Sequence, residues 1–335
     1  MSLLDINNCP GTLAPGFKTY SATCLKNLFL GKKVNHILPY SHSQKDEEDA
    51  EKFLENRIRI SISGVQEKVS MILIKNKLRL TEKGEQGTYI LKPIPRDLRK
   101  PTQVPANEHL TIQIAKQVYG INTAENALIF FKNGDPAYIT KRFDVKPDGT
   151  KLGKEDFASL AGKTKDTAGP DFKYEYSYEE AGQLLKKYVP AYKVEIIKFF
   201  KLIVFNYLFS NGDAHLKNFS LLETSMGDYI LSPAYDLVNS RIHVDDSDFA
   251  LKKGLFADDF KSDYCNKTNH PGKSDFVELA KRIEIPEKDI EFLLNPFLME
   301  QEKVEQLIDR SFLDDKCKRA YLLDYKTRRN RLNEQ

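Results

Sequence analysis

The sequence has no tryptophan, only four cysteines among 335 residues, and no long uninterrupted apolar run. Cys9, Cys24, Cys265 and Cys317 form no Cys-x-x-Cys pair, and the six histidines are not paired at ligand spacing. This pattern argues against a zinc site and favours free thiols. The most apolar stretch, Val194 to Phe209, is interrupted by lysines and is shorter than the roughly 20 residues that a bilayer span needs. No transmembrane helix is predicted.

Composition and charge are those of an ordinary globular protein. Hydrophobic residues make up 41% and charged residues 30% of the sequence, which excludes a disordered or collagen-like chain. The 51 lysines and arginines nearly balance 48 acids, so the net charge of +3 argues against attraction of the whole molecule to nucleic acid or an anionic membrane. The N-terminal residues lack a basic region followed by a long apolar core, and we therefore expect a cytoplasmic protein.

The first half of the sequence is rich in short strand patterns. Apolar or β-branched runs separated by turn residues predict strands at 58–63, 69–74, 77–80 and 88–91, and two more at 127–131 and 137–140 joined by an Asn-Gly pair. Apolar residues at helical spacing predict a helix at 107–119, which Gly120 ends. Together these patterns predict a small antiparallel sheet with a helix packed on it.

From about Asp144 the pattern changes to that of helices. Helical period predicts helices at 178–188, 194–209, 275–283, 287–294 and 299–312, and a hairpin is predicted at 219–222 and 228–231. The predicted fold is therefore α+β and two-lobed, with a β-rich N-terminal lobe over residues 1–143 and an all-helical C-terminal lobe over residues 144–335.

A dense polar stretch, Ser210 to Ser220, directly follows the most apolar predicted helix. Asp213 and Asn218 lie in it, five residues apart, and Asp236 follows the predicted hairpin. These groups suit phosphoryl transfer, in which one acid accepts the proton of the attacking hydroxyl while a second acid and an amide hold magnesium. The spacing is that of a protein-kinase catalytic loop. A polar turn whose side chains only satisfy backbone groups is the alternative.

Three earlier features follow the order that a kinase needs. The segment from Ser61 to Lys68 lies between two predicted strands, and Gly64 allows backbone N–H groups to approach phosphate oxygens. Lys92 ends a strand, where kinases place the lysine that pairs with nucleotide phosphates, and Glu108 opens the next helix. Taken singly, a plain hairpin turn, a surface lysine and a glutamate at a helix N-terminus are the alternatives.

These motifs resemble the HipA family of bacterial serine/threonine kinases, the toxins of type II toxin–antitoxin modules. The resemblance is most specific in the catalytic loop, and the C-terminal part of the chain matches only in helical character. It implies a protein-kinase-like fold. The matching segments are Ser61–Lys68, Ile90–Pro93, Asn107–Glu108, Lys141–Asp144, Glu155–Phe157, Lys173–Glu175, Ser177–Glu179, Asn211–Ser220 and Pro233–Asp236.

The resemblance implies catalytic roles and two cofactors, ATP and Mg²⁺. Asp213 would be the catalytic base, and Asn218 with Asp236 would be the magnesium ligands. Lys92 would pair with the ATP phosphates and Glu108 would hold it in place.

The resemblance also implies a nucleotide site and an autophosphorylation site. The backbone from Lys141 to Phe143 would meet adenine, although a lysine replaces a family glutamate at position 141. Ser61 would be the serine that the kinase phosphorylates on itself, and Ser63 a second acceptor in the same loop. The residues implied to bind ATP are Ser61, Ser63, Gly64, Val65, Gln66, Lys68, Lys92, Lys141, Phe143, His215 and Lys217.

The resemblance extends to partners. Full-length HipA proteins carry a further N-terminal subdomain before the phosphate loop, which here begins at Ser61, so the chain is most similar to the short HipT-type kinase. The implied partners are a HipS-like small protein, a HipB-like DNA-binding antitoxin and, as protein substrate, an aminoacyl-tRNA synthetase whose modification inhibits translation and growth. DNA would be contacted only through the antitoxin.

Two other functions stay open at this point. The basic stretch from Lys316 to Gln335 fits a kinase-fold module that bridges an antitoxin and operator DNA, although a solvated terminal helix is the simpler interpretation. A small-molecule or lipid kinase would keep the chemistry and change the acceptor.

We expect phosphorylation of the Ser61–Lys68 segment to weaken ATP binding. A phosphoserine adds about −1.5 to −2 charge, which would repel the phosphates of ATP. A Ser61→Asp, Ser63→Asp double variant should therefore bind ATP several-fold more weakly in calorimetric titration than the neutral Ser61→Asn, Ser63→Asn control. Equal affinities would contradict this regulatory role.

Overall fold

A computed structural model describes residues 6–41, 67–146 and 148–334, which form two compact units. The first unit contains residues 1–114, 124–150 and 303–318, and the second contains residues 115–123, 151–302 and 319–335. Each unit is thus assembled from more than one stretch of chain. The division into lobes after residue 143 stays a prediction.

An antiparallel sheet of five strands is the framework of the first unit, in the order β2-β1-β3-β5-β4. The predicted sheet is confirmed, and β1 and β2 have the predicted bounds. Gly134, in the predicted Asn-Gly turn between β4 and β5, has a φ of 92°, which a side chain would oppose. The strand predicted at 58–63 lies outside the described residues. The strands are β1 (Val69–Ile74), β2 (Lys77–Leu80), β3 (Tyr89–Lys92), β4 (Asn126–Phe130) and β5 (Pro136–Lys141).

Two helices accompany this sheet, and the sequence predicted one of them. Helix α2 (Val104–Gln117) corresponds to the predicted helix at 107–119. Helix α1 (Ala22–Phe29) was not predicted; the Ser21 hydroxyl caps it by accepting a hydrogen bond from the Cys24 amide at 3.2 Å. Phe29 at its end is fully buried against Tyr89 of β3, with ring centroids 5.8 Å apart.

The second unit contains a small sheet that corrects the expectation of an all-helical C-terminal lobe. Strands β7 (Ser220–Glu223) and β8 (Tyr229–Leu231) form the predicted hairpin, and β6 (Lys154–Asp156) pairs with the other edge of β7. Strand β6 has three residues, too few to show a period in sequence, and it forms because β7 offers an unpaired edge.

Helices make up most of the second unit, in line with the predicted change of pattern. The last helix of the predicted series, expected from 299, begins later at 302 because Met299 is extended, with ψ of 151°. Of the residues described, none belong to a helix long and apolar enough to cross a bilayer. The helices are α3 (Phe157–Leu160), α4 (Lys165–Ala168), α5 (Tyr178–Tyr188), α6 (Tyr192–Leu208), α7 (Asp263–Thr268), α8 (Lys273–Arg282), α9 (Glu287–Leu298), α10 (Glu302–Arg310) and α11 (Asp315–Asn333). The first unit contains α10 from residue 303 onward and the start of α11.

Part of the basic C-terminal stretch points into the second unit. Arg328 of α11 is 2% exposed, pairs with Asp248, and places its guanidinium 4.8 Å from the ring centroid of Tyr207. Arg331 lies 3.8 Å from the same carboxylate. These two arginines therefore support packing within the unit and are not part of a solvated face for DNA.

We expect the aromatic core of the second unit to dominate its stability. Phe199 of α6 is fully buried, with ring centroids 5.7 Å from Phe157 and 5.3 Å from Phe219. Phe199→Ala should lower the free energy of unfolding by about 3–5 kcal/mol, because it leaves a cavity among these rings. Phe292→Ala, at a side chain 80% exposed, is the control and should change it little in denaturant titration. Equal effects would contradict this assignment of the core.

Candidate active site

The predicted catalytic loop begins with a left-handed residue two positions after the end of helix α6. Ser210 has a φ of 54°, and its carbonyl accepts hydrogen bonds from the amide and the hydroxyl of Ser240 at 3.1 and 3.0 Å. The Ser240 hydroxyl also accepts one from the Gly212 amide at 2.9 Å. The loop is thus pinned to the chain that follows the β7–β8 hairpin, although 30 positions separate Ser210 and Ser240.

Close backbone approach explains why a glycine precedes Asp213. A Cβ atom on Gly212 would lie 2.5 Å from the Cβ of Asp246 and 2.8 Å from the carbonyl oxygen of Ser247. Neither partner is the flexible end of a side chain, so only glycine fits without a backbone shift. This close contact fixes the point of the backbone from which the side chain of the next residue, Asp213, extends.

Asp213 is accessible and has a raised pKa. Its side chain is 55% exposed, and its Oδ1 accepts a hydrogen bond from the Tyr174 hydroxyl at 3.0 Å. Desolvation raises the pKa of the Asp213 carboxyl above its ordinary value and Asp236 adds to the rise, while Lys173 and the bond from Tyr174 oppose it. A carboxylate with a raised pKa is a stronger proton acceptor, as a general base requires.

His215 is a neutral neighbour of this carboxylate. Its Nε2 lies 2.8 Å from the Lys173 ammonium and 3.8 Å from Oδ1 of Asp213. Burial, followed by the positive charge of Lys173, lowers the pKa of His215 to about 3. Because Lys173 can only donate, Nε2 is the acceptor and the ring proton lies on Nδ1.

Asn218 and Asp236 come together at the two ends of the hairpin. The Asn218 amide nitrogen donates to Oδ2 of Asp236 at 3.4 Å, and its Oδ1 accepts from the His215 amide at 3.1 Å. Asp236 has a φ of 56°, a left-handed conformation that aspartate tolerates better than most residues. Below them, the Tyr235 hydroxyl lies 2.6 Å from the Ser220 hydroxyl and donates to the Lys217 carbonyl at 2.9 Å, which holds the two ends together.

The donor chemistry of this pair fits magnesium. Carboxylate and amide oxygens are the hard ligands that Mg²⁺ prefers, and the ion commonly takes few protein ligands together with substrate phosphates. Within the described ranges, no three His, Cys, Asp or Glu side chains are grouped so that they could hold a metal by themselves.

In the first unit, the sheet brings Lys92 to Glu108. The Lys92 ammonium at the end of β3 lies 2.5 Å from Oε1 of Glu108 in α2, and both residues are buried. The ammonium also lies 5.3 Å from the ring centroid of Tyr138. A buried ion pair of this kind is the one that a kinase uses to orient its phosphate-binding lysine.

Comparison with known proteins places this geometry in a family. The family model of the HipA-like C-terminal domain matches residues 60–310. The chain belongs to the HipA-like family. A proposed kinase of Haemophilus influenzae is 28% identical over 94% of this chain and 92% of its own length. Two proposed kinases of Sinorhizobium fredii, Y4dM and Y4mE, are 30% and 29% identical over 70% and 56% of this chain, but only 56% and 44% of their own lengths.

Solved structures confirm the kinase-like fold. HipA of Shewanella oneidensis, solved with HipB and operator DNA, matches with a TM-score of 0.59 and 20% identity over 81% of this chain and 63% of that one. The proinflammatory kinase CtkA of Helicobacter pylori matches with a TM-score of 0.52 and 18% identity over 78% of this chain and 93% of that one. At these identities the likeness shows the fold alone, and with the family match it supports kinase activity.

In this HipA-like chain, two backbone amides that were predicted to contact adenine already donate hydrogen bonds to other residues. The Lys141 amide donates to the Glu125 carbonyl at 2.8 Å, and the Arg142 amide donates to the Thr88 carbonyl at 2.9 Å. The Arg142 guanidinium forms two hydrogen bonds with Asp144, at 3.0 and 2.6 Å. These two amides would bind adenine only by breaking bonds within and beside the sheet.

Of the other residues predicted to bind the nucleotide, some lie within the described part of the chain and some lie outside it. Lys68, half-buried, lies just before β1, and Phe143 follows β5. The Lys217 ammonium in the catalytic loop lies 5.9 Å from the ring centroid of Phe172. Ser61, Ser63, Gly64, Val65 and Gln66 lie outside the described residues, so their predicted roles stay predictions.

Sequence reasoning gave no role to two residues that contact the loop. Lys173 and Tyr174 lie in a matching segment of the family, but no function was assigned to them. In the second unit they bond to His215 and Asp213, respectively. The sequence showed only that a lysine and a tyrosine are adjacent in a segment that matches the family. That adjacency did not indicate which residues they contact.

We expect Lys92 and Glu108 to be strongly coupled. Removing one partner of a buried ion pair costs about 3–5 kcal/mol, because the remaining buried charge loses its ion-pair partner. Lys92→Met and Glu108→Leu should each lower the free energy of unfolding of the first unit by about this amount, and the double variant by much less than the sum.

The exposed pair between Lys186 and Glu284 provides the matched control. Both side chains are about half exposed, so their cycle should give a coupling of only about 0–1 kcal/mol in the same denaturant titrations. Additive effects at Lys92 and Glu108 would show that the buried pair is not coupled.

Proposed function

We propose that this HipA-like chain is an ATP-dependent serine/threonine-protein kinase. The observation that carries the proposal is the arrangement around Asp213. An accessible carboxylate precedes a hairpin whose two ends bring the Asn218 amide nitrogen to 3.4 Å from Oδ2 of Asp236. An acid followed by an amide–acid pair matches the base and the metal-binding groups that protein kinases use for phosphoryl transfer to a hydroxyl group.

Each group has a distinct task in this mechanism. Asp213 accepts the proton of the acceptor hydroxyl as its oxygen attacks the γ-phosphorus of ATP, and the bond from that phosphorus to the β–γ bridging oxygen breaks so that ADP leaves. Asn218 and Asp236 would hold Mg²⁺, which when bound neutralises charge on the phosphate oxygens. His215 remains neutral and therefore does not compete with a metal ion for the carboxylates. Lys92, oriented by Glu108, would pair with the nucleotide phosphates.

The biological role that we propose is that of a toxin in a type II toxin–antitoxin system. The HipA neighbour was solved with HipB and operator DNA, which supports a HipB-like antitoxin as partner and DNA contact through it. We further propose autophosphorylation at Ser61 and Ser63, a HipS-like small partner, and an aminoacyl-tRNA synthetase as the protein substrate. Such a substrate would place the kinase in the cytoplasm.

Asp213→Asn is the direct test of the kinase. The amide is isosteric but cannot accept the proton, so label transfer from ATP to lysate protein and to the chain itself should fall by about 100-fold or more. Labelled ATP, magnesium and a bacterial lysate, followed by mapping of phosphorylated peptides, would measure the transfer and identify the acceptor. Asp263→Asn, an exposed acid in the first turn of α7, is the matched control and should keep full activity.

Three outcomes would overturn parts of the proposal. Full transfer by the Asp213→Asn variant would exclude the proposed base. Label on lipid or small molecules alone would replace the protein substrate. Absence of any transfer by the dephosphorylated wild-type chain would favour a kinase-fold module that bridges an antitoxin and operator DNA.

A further inference from the structure

The Tyr174 hydroxyl is hydrogen-bonded to the proposed catalytic base, although it takes no part in the proton transfer itself. We propose that Tyr174 is a positioning residue that holds Asp213 through Oδ1, so that Oδ2 is presented to the acceptor hydroxyl. The inference rests on the proposed kinase function and deepens it. Tyr174 and Asp213 are 39 positions apart, and their hydroxyl and carboxylate oxygens are 3.0 Å apart.

The segment that carries Tyr174 is fixed at its backbone. Phe172–Tyr174 form a turn of 3₁₀ helix, and the carbonyl of Tyr174 accepts a hydrogen bond from the Lys252 amide at 2.9 Å. Two residues on, the Tyr176 carbonyl accepts from the Lys253 amide at 3.3 Å. The Lys252 ammonium pairs with Glu175 as well. The tyrosine is therefore held toward Asp213 by its own segment and does not depend on the hydroxyl bond for its place.

Lys173 and His215 support the same side of the carboxylate. The Tyr174 and His215 rings meet edge to face with centroids 5.3 Å apart, and the Lys173 ammonium lies 4.8 Å from the Tyr174 ring centroid while bonding to His215. His215 in turn lies 3.8 Å from Oδ1 of Asp213. Tyr174 and His215 thus both approach the same carboxylate oxygen, Oδ1, and the proposal assigns the reaction to the other oxygen, Oδ2.

In the hydrogen bond between Tyr174 and Asp213, the tyrosine hydroxyl is the donor and the carboxylate is the acceptor. Burial, and then the charge of Asp213, raises the pKa of the Tyr174 hydroxyl well above its ordinary value, so the hydroxyl stays protonated. A hydrogen bond to the ionised carboxylate favours that form and lowers the pKa of Asp213. The charged and titratable groups that face Asp213 are Lys173, Tyr174, Tyr178, His215, Asp236 and Asp246.

The same hydrogen bond is also compatible with the opposite role, in which Tyr174 inhibits the reaction. A hydroxyl that donates to the base occupies a place that the acceptor hydroxyl could take, so Tyr174 could compete with substrate. A positioning residue raises the rate and a competitor lowers it. Removal of the hydroxyl therefore changes the rate in opposite directions in the two cases.

The experiment compares Tyr174→Phe with Tyr176→Phe. Tyr176 is in the same segment, and its ring lies near Lys163. Tyr174→Phe keeps the ring and should lower kcat for label transfer from ATP to lysate protein by about tenfold, with KM for ATP little changed, because the base loses its fixed orientation. The acid limb of the pH profile should move to higher pH by up to about one unit, because the ionised carboxylate loses a donor. Tyr176→Phe should change neither.

A second readout does not need activity. The carboxyl carbon of Asp213, labelled with carbon-13 and assigned by its loss in Asp213→Asn, can be titrated by NMR in each full-length variant. An upward shift of its midpoint in Tyr174→Phe alone supports the inference, even if no variant transfers label and the kinase proposal fails. An unmoved midpoint, or a faster rate in Tyr174→Phe, overturns it.

Discussion

The close approach of backbone at Gly212 is the constraint on which the rest of the candidate site depends. A side chain at this position would collide with Asp246 and Ser247, and the glycine amide is held by Ser240. The left-handed turn at Ser210 redirects the chain after α6 so that this approach is possible. Backbone contacts thus set the position of the Asp213 main chain, whereas the bond from Tyr174 acts on its carboxylate.

The β7–β8 hairpin acts as a spacer between the two candidate metal ligands. Asn218 lies before it and Asp236 after it, and pairing of the two strands brings the ends together. Tyr235 ties the ends by contacts with Ser220 and Lys217. The hairpin and Tyr235 therefore fix the backbone positions of Asn218 and Asp236 relative to each other.

The charged groups of the two units differ in burial and in how their charge is compensated. In the first unit, Lys92 and Glu108 are buried and pay the cost of desolvation by pairing with each other. In the second unit, Asp213 remains half exposed while its neighbour His215 is kept neutral by burial and by Lys173. The first arrangement suits a fixed anchor for a ligand, and the second suits a group that must exchange a proton.

The sequence by itself determined the elements whose signal is local. Strands β1 and β2 have the predicted bounds because alternation and turn residues act over a few positions. The order of Asp213, Asn218 and Asp236 along the chain predicted phosphoryl transfer only together with Lys92 and the segment from Ser61 to Lys68. The family resemblance was carried by the same short segments.

Tertiary structure alone decided what depends on distant partners. Strand β6 exists because β7 has an edge to fill, and Arg328 is buried because Asp248 lies opposite to receive its charge. The hydrogen bond from Tyr174 to Asp213 joins two residues that are 39 positions apart in the sequence. No periodicity or spacing encodes such contacts, because they arise only when packing brings separate segments to one place.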